Sequence, residues 1–175
     1  MGLESGSIFG DRYRVVRPIA EGGMGAVYEV EHLETGRRRA LKVLHPHILK
    51  DDKARVRFRQ EARVAGVIDS DGVVDVFDAG LDEPTRMPFL VMELLRGEDL
   101  GCLLDRQGPL SPPLVVEYLR QAALALDKAH QAGVVHRDLK PDTLFLHARD
   151  AGPPQIKILD FGVAKLVHDS AGLRG

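Results

Sequence analysis

The chain has 175 residues, 44% of them hydrophobic and 29% charged, with a formal net charge of -2, which excludes a disordered segment and fits one soluble unit or part of a larger one. That balance gives no general attraction to nucleic acid, and the clusters Arg37-Arg38-Arg39 and Arg55, Arg57, Arg59 read as solvated faces. Cys102 is the only cysteine, which rules out an internal disulfide or a multi-cysteine zinc site and suits a reducing, cytoplasmic compartment. The longest clean apolar run, PFLVMELL at 88–95, is far below the roughly 20 residues that span a bilayer, and the first residues lack a signal peptide's basic start. No membrane segment is expected.

In chain order, residues 13–19, 26–32 and 37–44 are short β-rich runs, separated by the turn-forming stretches Glu21-Gly22-Gly23-Met24-Gly25 and Glu34-Thr35-Gly36. They predict an antiparallel meander. Residues 51–67 read as a helix with two acids at its positive N-terminal end, followed by strand candidates at 73–79 and 89–93. Residues 98–107 are helix-like up to Gly108, and Ser111 with Pro112 is an N-cap and first-turn proline opening a helix to about Gln131. Val115, Leu119, Ala122, Leu126 and Ala129 are spaced there for one buried stripe. Short strands and loops follow, and Ala151-Gly152-Pro153-Pro154 looks like a loose loop insertion. A small β-rich lobe thus precedes a helical one, with the boundary near 95–97.

Two charged residues stand out inside apolar elements. In RALKVL at 39–44, the period of two puts Ala40, Lys42 and Leu44 on one face of a strand, where an ammonium group needs an anion. In the following helix Ala54, Phe58, Glu61 and Ala65 share one stripe, which places the helix's only glutamate toward the sheet. From these two elements alone, an ion pair and a snorkelling lysine beside an unconnected glutamate are equally open readings. The glycine-rich turn in IAEGGMGAVYEV lets backbone amides approach a phosphate, although such a turn is often only a hairpin. A dinucleotide-binding unit is excluded, because a strand and not a helix follows the glycines. Asp138 in HRDLKPDTLFL and Asp160 in KILDFG each deliver a carboxylate to a turn. Together, in this order, these features make purely structural explanations of each one improbable.

The set resembles the protein kinase family, and specifically the bacterial eukaryote-type (Hanks-type) serine/threonine kinases, from about Tyr13 to Leu166. The resemblance implies an α+β kinase-like fold: a small antiparallel lobe of five strands and one helix at 13–95, after a lead at 1–12. An incomplete, mainly helical lobe at 96–175 would follow, with ATP and Mg2+ in the cleft. It implies that Ile19, Ala20, Gly22, Gly23, Gly25 and Val27 cover the nucleotide, and that Lys42 holds its phosphates while paired with Glu61. Ala40 would roof the adenine slot and Phe145 floor it, with Met92 as gatekeeper and the backbones of Glu93 and Leu95 at the adenine edge. Asp138 would accept the substrate hydroxyl's proton, Lys140 would neutralise the transferred phosphoryl group, and Asp160, with Thr143 as a weaker ligand, would bind the metal. His136 is expected to serve the loop's structure.

Three departures from the family pattern stand beside this. Ala20 occupies the first glycine position, Thr143 occupies the place of the catalytic loop's asparagine, and DFGVAKL lies close to Gly175, so no APE-type motif appears. The implied function is ATP-dependent phosphorylation of protein serine or threonine. The alternative is a pseudokinase or nucleotide-binding interaction module, which the intact Lys42, Glu61, Asp138 and Asp160 disfavour and Thr143 favours.

Overall fold

The computed structural model describes residues 2–22, 25–45, 52–161 and 165–166; for 52–55, 57, 61, 65, 165 and 166 it describes the backbone alone. The chain divides into two compact units, Met1–Ala62 with Asp75–Leu95, and Arg63–Val74 with Arg96–Gly175.

The first unit is a six-stranded antiparallel sheet. Its strands are β1 (Ile8–Phe9), β2 (Tyr13–Glu21), β3 (Gly25–His32), β4 (Arg38–Leu44), β5 (Val76–Leu81) and β6 (Pro88–Met92), in the spatial order β1-β2-β3-β4-β6-β5. The helix α1 (Asp52–Ala65) follows β4. Alternation along β4 buries both its faces. Leu41 and Val43 join Tyr13, Val15, Tyr28, Val30, Phe89 and Val91 in one core, while Leu44 packs with Phe58 of α1 and Leu90 in another. Burying each such side chain is worth roughly 1.5–3 kcal/mol.

Two expectations are corrected in this unit. The sheet has six strands, because the lead at 1–12 contributes β1, whose Phe9 is buried edge-to-face against Phe89 at 5.4 Å between ring centroids. A two-residue strand is too short to show a period. The strand expected at 73–79 runs instead at Val76–Leu81; Val73 makes only an isolated bridge to Ile158, and Val74 N–H donates to the Ile158 carbonyl at 3.3 Å. That segment is drawn into the second unit by Ile158.

The second unit contains β7 (Gly97–Asp99), α2 (Leu100–Gln107), α3 (Pro112–Gln131), β8 (Val134–Val135), β9 (Leu144–His147), β10 (Gln155–Ile158) and β11 (Lys165–Leu166). Strands β7, β9 and β10 form one small sheet, and β8 pairs with β11. Among the described residues its two helices, of 8 and 20 residues, carry more of this unit than its five short strands do, as a mainly helical lobe implies. The helix expected from residue 98 begins at Leu100, because Glu98 and Asp99 pair with β9 and the Asp99 carboxylate caps α2 by accepting from Cys102 N–H at 2.8 Å. Gly97 makes that pairing possible: its φ is 135°, and a Cβ there would fall 2.0 Å from the Leu146 carbonyl oxygen.

Helix α3 opens as expected at Pro112, but the Ser111 side chain makes no capping bond. The N2 amide such a cap serves is absent in Pro113, and the Ser111 carbonyl instead accepts from Leu114 and Val115 N–H at 3.1 Å each. The stripe is met in part: Ala122 and Ala129 are buried and Leu126 packs against the same core, while Val115 and Leu119 do not belong to it. The buried face is Tyr118, Ala122, Ala125 and Ala129, against Leu144, Leu146, Ile156 and Ile158, whereas Val115 is 37% and Leu119 59% exposed. Spacings of i, i+4 and i+7 fit both faces of this apolar helix, and the small alanines are the ones that let the strands approach.

Candidate active site

The loop after β8 is built by hydrogen bonds to its own backbone. Thr143, 2% exposed, ends a 3-10 turn at Pro141–Thr143. Its hydroxyl donates to the Lys140 carbonyl at 2.9 Å and accepts from Lys140 N–H at 3.1 Å, while Thr143 N–H also reaches the Lys140 carbonyl at 3.0 Å. The asparagine position thus holds a short side chain that closes the turn locally. Lys140 and Asp138 project from this turn, with Nζ 3.4 Å from Oδ2 and both side chains about half exposed at 49% and 51%. So exposed a pair contributes roughly 0–1 kcal/mol to stability.

His136 is 2% exposed and ties this loop to the next. Its Nδ1 accepts from Asp138 N–H at 3.3 Å, so Nε2 carries the proton and donates to the Leu159 carbonyl at 2.8 Å. Leu159 N–H in turn donates to the Thr143 carbonyl at 2.9 Å. The following Asp160 is exposed, with a left-handed backbone at φ 58°, and Phe161 beside it is 1% exposed with its ring edge-on to His136 at 4.7 Å. Arg137 is also left-handed, at φ 70°. A non-glycine residue there costs roughly 1–2 kcal/mol, which this network of bonds and the buried phenyl ring offset. Leu159 and Phe161 carried no expectation from the sequence. Their signal is that an apolar pair flanks a carboxylate beside a turn glycine.

Phe145 lies half-buried on β9, between Lys157 of β10 and Asp99 of β7, on the face opposite the core residues Leu144 and Leu146. Nearby, Lys157 is buried at 6% exposure.

In the first unit, register assembles another group. Ala20, Val27, Lys42 and Leu90 form one cross-strand row from β2 to β6, and Glu29, Ala40, Met92 and Val76 form the next row on the same face. Lys42 is half-buried there. Ala20 is an ordinary strand residue opposite Val27 and is absent from the residues with positive φ, so its methyl group causes no backbone strain. Ile19 precedes it, 43% exposed. Gly22 N–H donates to the Gly25 carbonyl at 2.9 Å, closing the turn. Gly25 is required for another reason: a Cβ there would meet the Val43 carbonyl oxygen at 2.1 Å, whereas at Gly22 it would meet open space. Gly23, Met24 and Gly162 lie outside the described residues, as does the Glu61 side chain and with it the expected pair to Lys42. Glu93 N–H donates to the Asp75 carbonyl at 3.0 Å, and the Glu93 carboxylate accepts from Asp75 N–H at 3.0 Å. Leu95 is half-buried two residues on.

With a sheet carrying a lysine among apolar neighbours, and two hydrogen-bonded loops carrying Asp138 with Lys140 and, further on, Asp160, residues 13–174 match the protein kinase domain, and the chain belongs to that family. Relatives are named serine/threonine-protein kinases. Pkn1 of Myxococcus xanthus is 43% identical over 166 residues, which are 95% of this chain and 23% of that protein. PknA of Mycobacterium tuberculosis is 41% identical over 170 residues, covering 95% and 38%. Among solved structures, the PknI kinase domain of Mycobacterium tuberculosis has a TM-score of 0.74 at 35% identity, over 94% of this chain and 64% of that one. The chain therefore spans well under half the length of these two curated relatives. No helix among its described residues is long and apolar enough to cross a membrane.

Proposed function

We propose that this chain is the N-terminal portion of a domain that transfers the γ-phosphoryl group of ATP to serine or threonine hydroxyls of protein substrates. The observation that carries the reading is the Asp138–Lys140 pair, held at 3.4 Å on a loop whose backbone is closed by Thr143 and His136. Phosphoryl transfer needs little covalent work from the protein, so a positioned base and neutralising cations are the parts to look for. In the proposed reaction the hydroxyl oxygen bonds to the γ-phosphorus as the bond to the β–γ bridging oxygen breaks. ADP leaves and the hydroxyl proton passes to the Asp138 carboxylate. Lys140 offsets charge on the transferred group. Lys42, in its row with Val27 and Leu90, engages the α- and β-phosphates, with Ala40 and Met92 lining the adenine side.

Magnesium fits the donor chemistry only in part. Asp160 offers the hard carboxylate oxygen that Mg2+ prefers, while the Thr143 hydroxyl is buried, with its proton and one of its two lone pairs engaged by the Lys140 backbone. Among the described residues no cluster of three or more His, Cys, Asp or Glu is present, which suits an ion held by one carboxylate, water and phosphate oxygens. When bound, the ion would draw charge from the phosphate oxygens.

The engaged Thr143 hydroxyl also supports a second reading, a pseudokinase that binds nucleotide without transfer. The two are separated by radiolabelled ATP transfer to a mixed protein substrate, using a longer chain that carries the family's remaining helices. Transfer that is lost in Asp138→Asn supports the kinase; nucleotide binding without any transfer overturns it in favour of the second reading.

A further inference from the structure

The first unit's sheet treats its arginines differently on its two faces. On the face that holds Lys42, every described arginine has a glutamate: Arg14 with Glu31 at 3.2 Å, Arg17 with Glu29 at 2.8 Å, and Arg38 with both at 3.4 and 3.5 Å. The opposite face carries an open groove of about 610 Å³, lined by Arg12, Arg37 and Arg39 with a single acid, Asp78. That acid is already committed, to Arg12 at 3.1 Å and to the Tyr13 hydroxyl at 3.1 Å. Arg37 and Arg39 have no carboxylate partner among the described residues. Three guanidiniums against one carboxylate leave an excess of two positive charges, in a chain whose net charge is -2.

The geometry of that excess is selective. Arg39 sits over the Phe77 ring, its guanidinium carbon 4.0 Å from the centroid, and spends one N–H on the Arg38 carbonyl at 3.2 Å. A guanidinium carries its donors in a planar fork that suits a bidentate phosphate contact. A phosphate monoester carries a charge of about -1.5 to -2, matching the excess. The groove is several times larger than a phosphate group. Phe77 is 52% exposed at the bulge between Val76 and Asp78 on β5, an edge strand of the sheet, and edge strands accept extended peptides.

We infer that this groove binds a phosphorylated serine or threonine on an extended peptide, with Arg37 and Arg39 on the phosphate and Phe77 against the flanking chain. The inference stands whether or not the chain transfers phosphate.

The test is calorimetric titration of the 175-residue chain with an uncharged nine-residue glycine–alanine peptide bearing one central phosphoserine. Saturable binding is expected, at least tenfold tighter than for inorganic phosphate or the unphosphorylated peptide, and undisturbed by excess ATP. The double variant Arg37→Ala/Arg39→Ala should weaken it at least tenfold, with an unchanged thermal melt, whereas Arg38→Ala on the other face should leave it unaltered. Equal binding of the unphosphorylated peptide or of free phosphate would overturn the inference. So would displacement by ATP, an unaffected double variant, or an equal loss in Arg38→Ala, which would reduce the effect to general charge attraction.

Discussion

The Thr143 hydroxyl and the Lys140 backbone satisfy each other twice, Oγ1 donating to the carbonyl at 2.9 Å and accepting from the amide at 3.1 Å. A residue standing where an amide side chain is expected is thus the clasp of the turn that presents Lys140 and Asp138.

Thr143→Val keeps the shape and removes the hydroxyl, leaving the part-buried Lys140 amide without its acceptor. Losing such a partner costs about 1–3 kcal/mol. Urea unfolding should show a lower midpoint at unchanged slope, and Thr143→Ser should recover most of the loss. Equal stability of the valine variant and the wild type would remove the clasp from the account.

In the proposed reaction Lys140→Met deletes the cation that offsets charge on the transferred phosphoryl group, and it leaves the sheet around Lys42 untouched. In a longer, active chain kcat should fall roughly 100- to 1000-fold, the range for removing one electrostatic donor at a developing charge. The ATP dissociation constant, read by calorimetry, should change less than threefold by comparison with wild type. A large rise in that constant with unaltered kcat would assign Lys140 to nucleotide binding.

The two described glycines of the turn between β2 and β3 should respond in opposite ways. Gly25→Ala drives a methyl group into the Val43 carbonyl oxygen of the neighbouring strand, which cannot yield without breaking the β3–β4 ladder, so a loss of about 1–3 kcal/mol is expected. Gly22→Ala enters open space and should shift the urea midpoint little. Similar effects at both positions would mean that backbone freedom, and not close packing, selects glycine at 25.

Tyr13 and Tyr118 keep their protons to higher pH than ordinary tyrosines, Tyr13 through burial and then the neighbouring Asp78, Tyr118 through burial. An unfolded tyrosine ionises near pH 10, so above that value the unfolded chain sheds protons that the folded chain retains. Their contribution is present below that pH and declines as pH rises toward the folded values. Absorbance titration at alkaline pH should show late-ionising phenols, one fewer in Tyr13→Phe, whose stability should also fall less steeply above pH 10.

The placement of several candidate site residues was legible because it follows short-range rules. A period of two puts Lys42 beside Ala40 on β4, and an apolar strand ending at a turn puts Asp160 at a bend. The proline pair at Pro112 marked the start of α3. What was illegible depends on contacts distant in sequence. Glu98 and Asp99 look helical until β9 is there to pair with them, and β1 exists because Phe9 finds Phe89. On α3 the buried face takes Tyr118 and Ala125 beside Ala122 and Ala129 and leaves Val115 and Leu119 outside, a rotation set by how near the strands come, which no spacing within the helix records. The left-handed backbone at Arg137 and Asp160 was equally hidden, since it is sustained by His136 bonding the residue 23 positions away, Leu159.

Because β4 is buried on both faces, the phase of Lys42 is tied to folding itself. Inserting or deleting one residue between 38 and 44 would exchange the lysine with Leu41 or Val43, sending a charge into one core and leaving the other without its leucine. Variation in chain length is therefore confined to places such as the exposed 148–154 connection between β9 and β10. A reporter sequence spliced there should leave the fold intact, while the shortest insertion in β4 should leave no folded protein to assay.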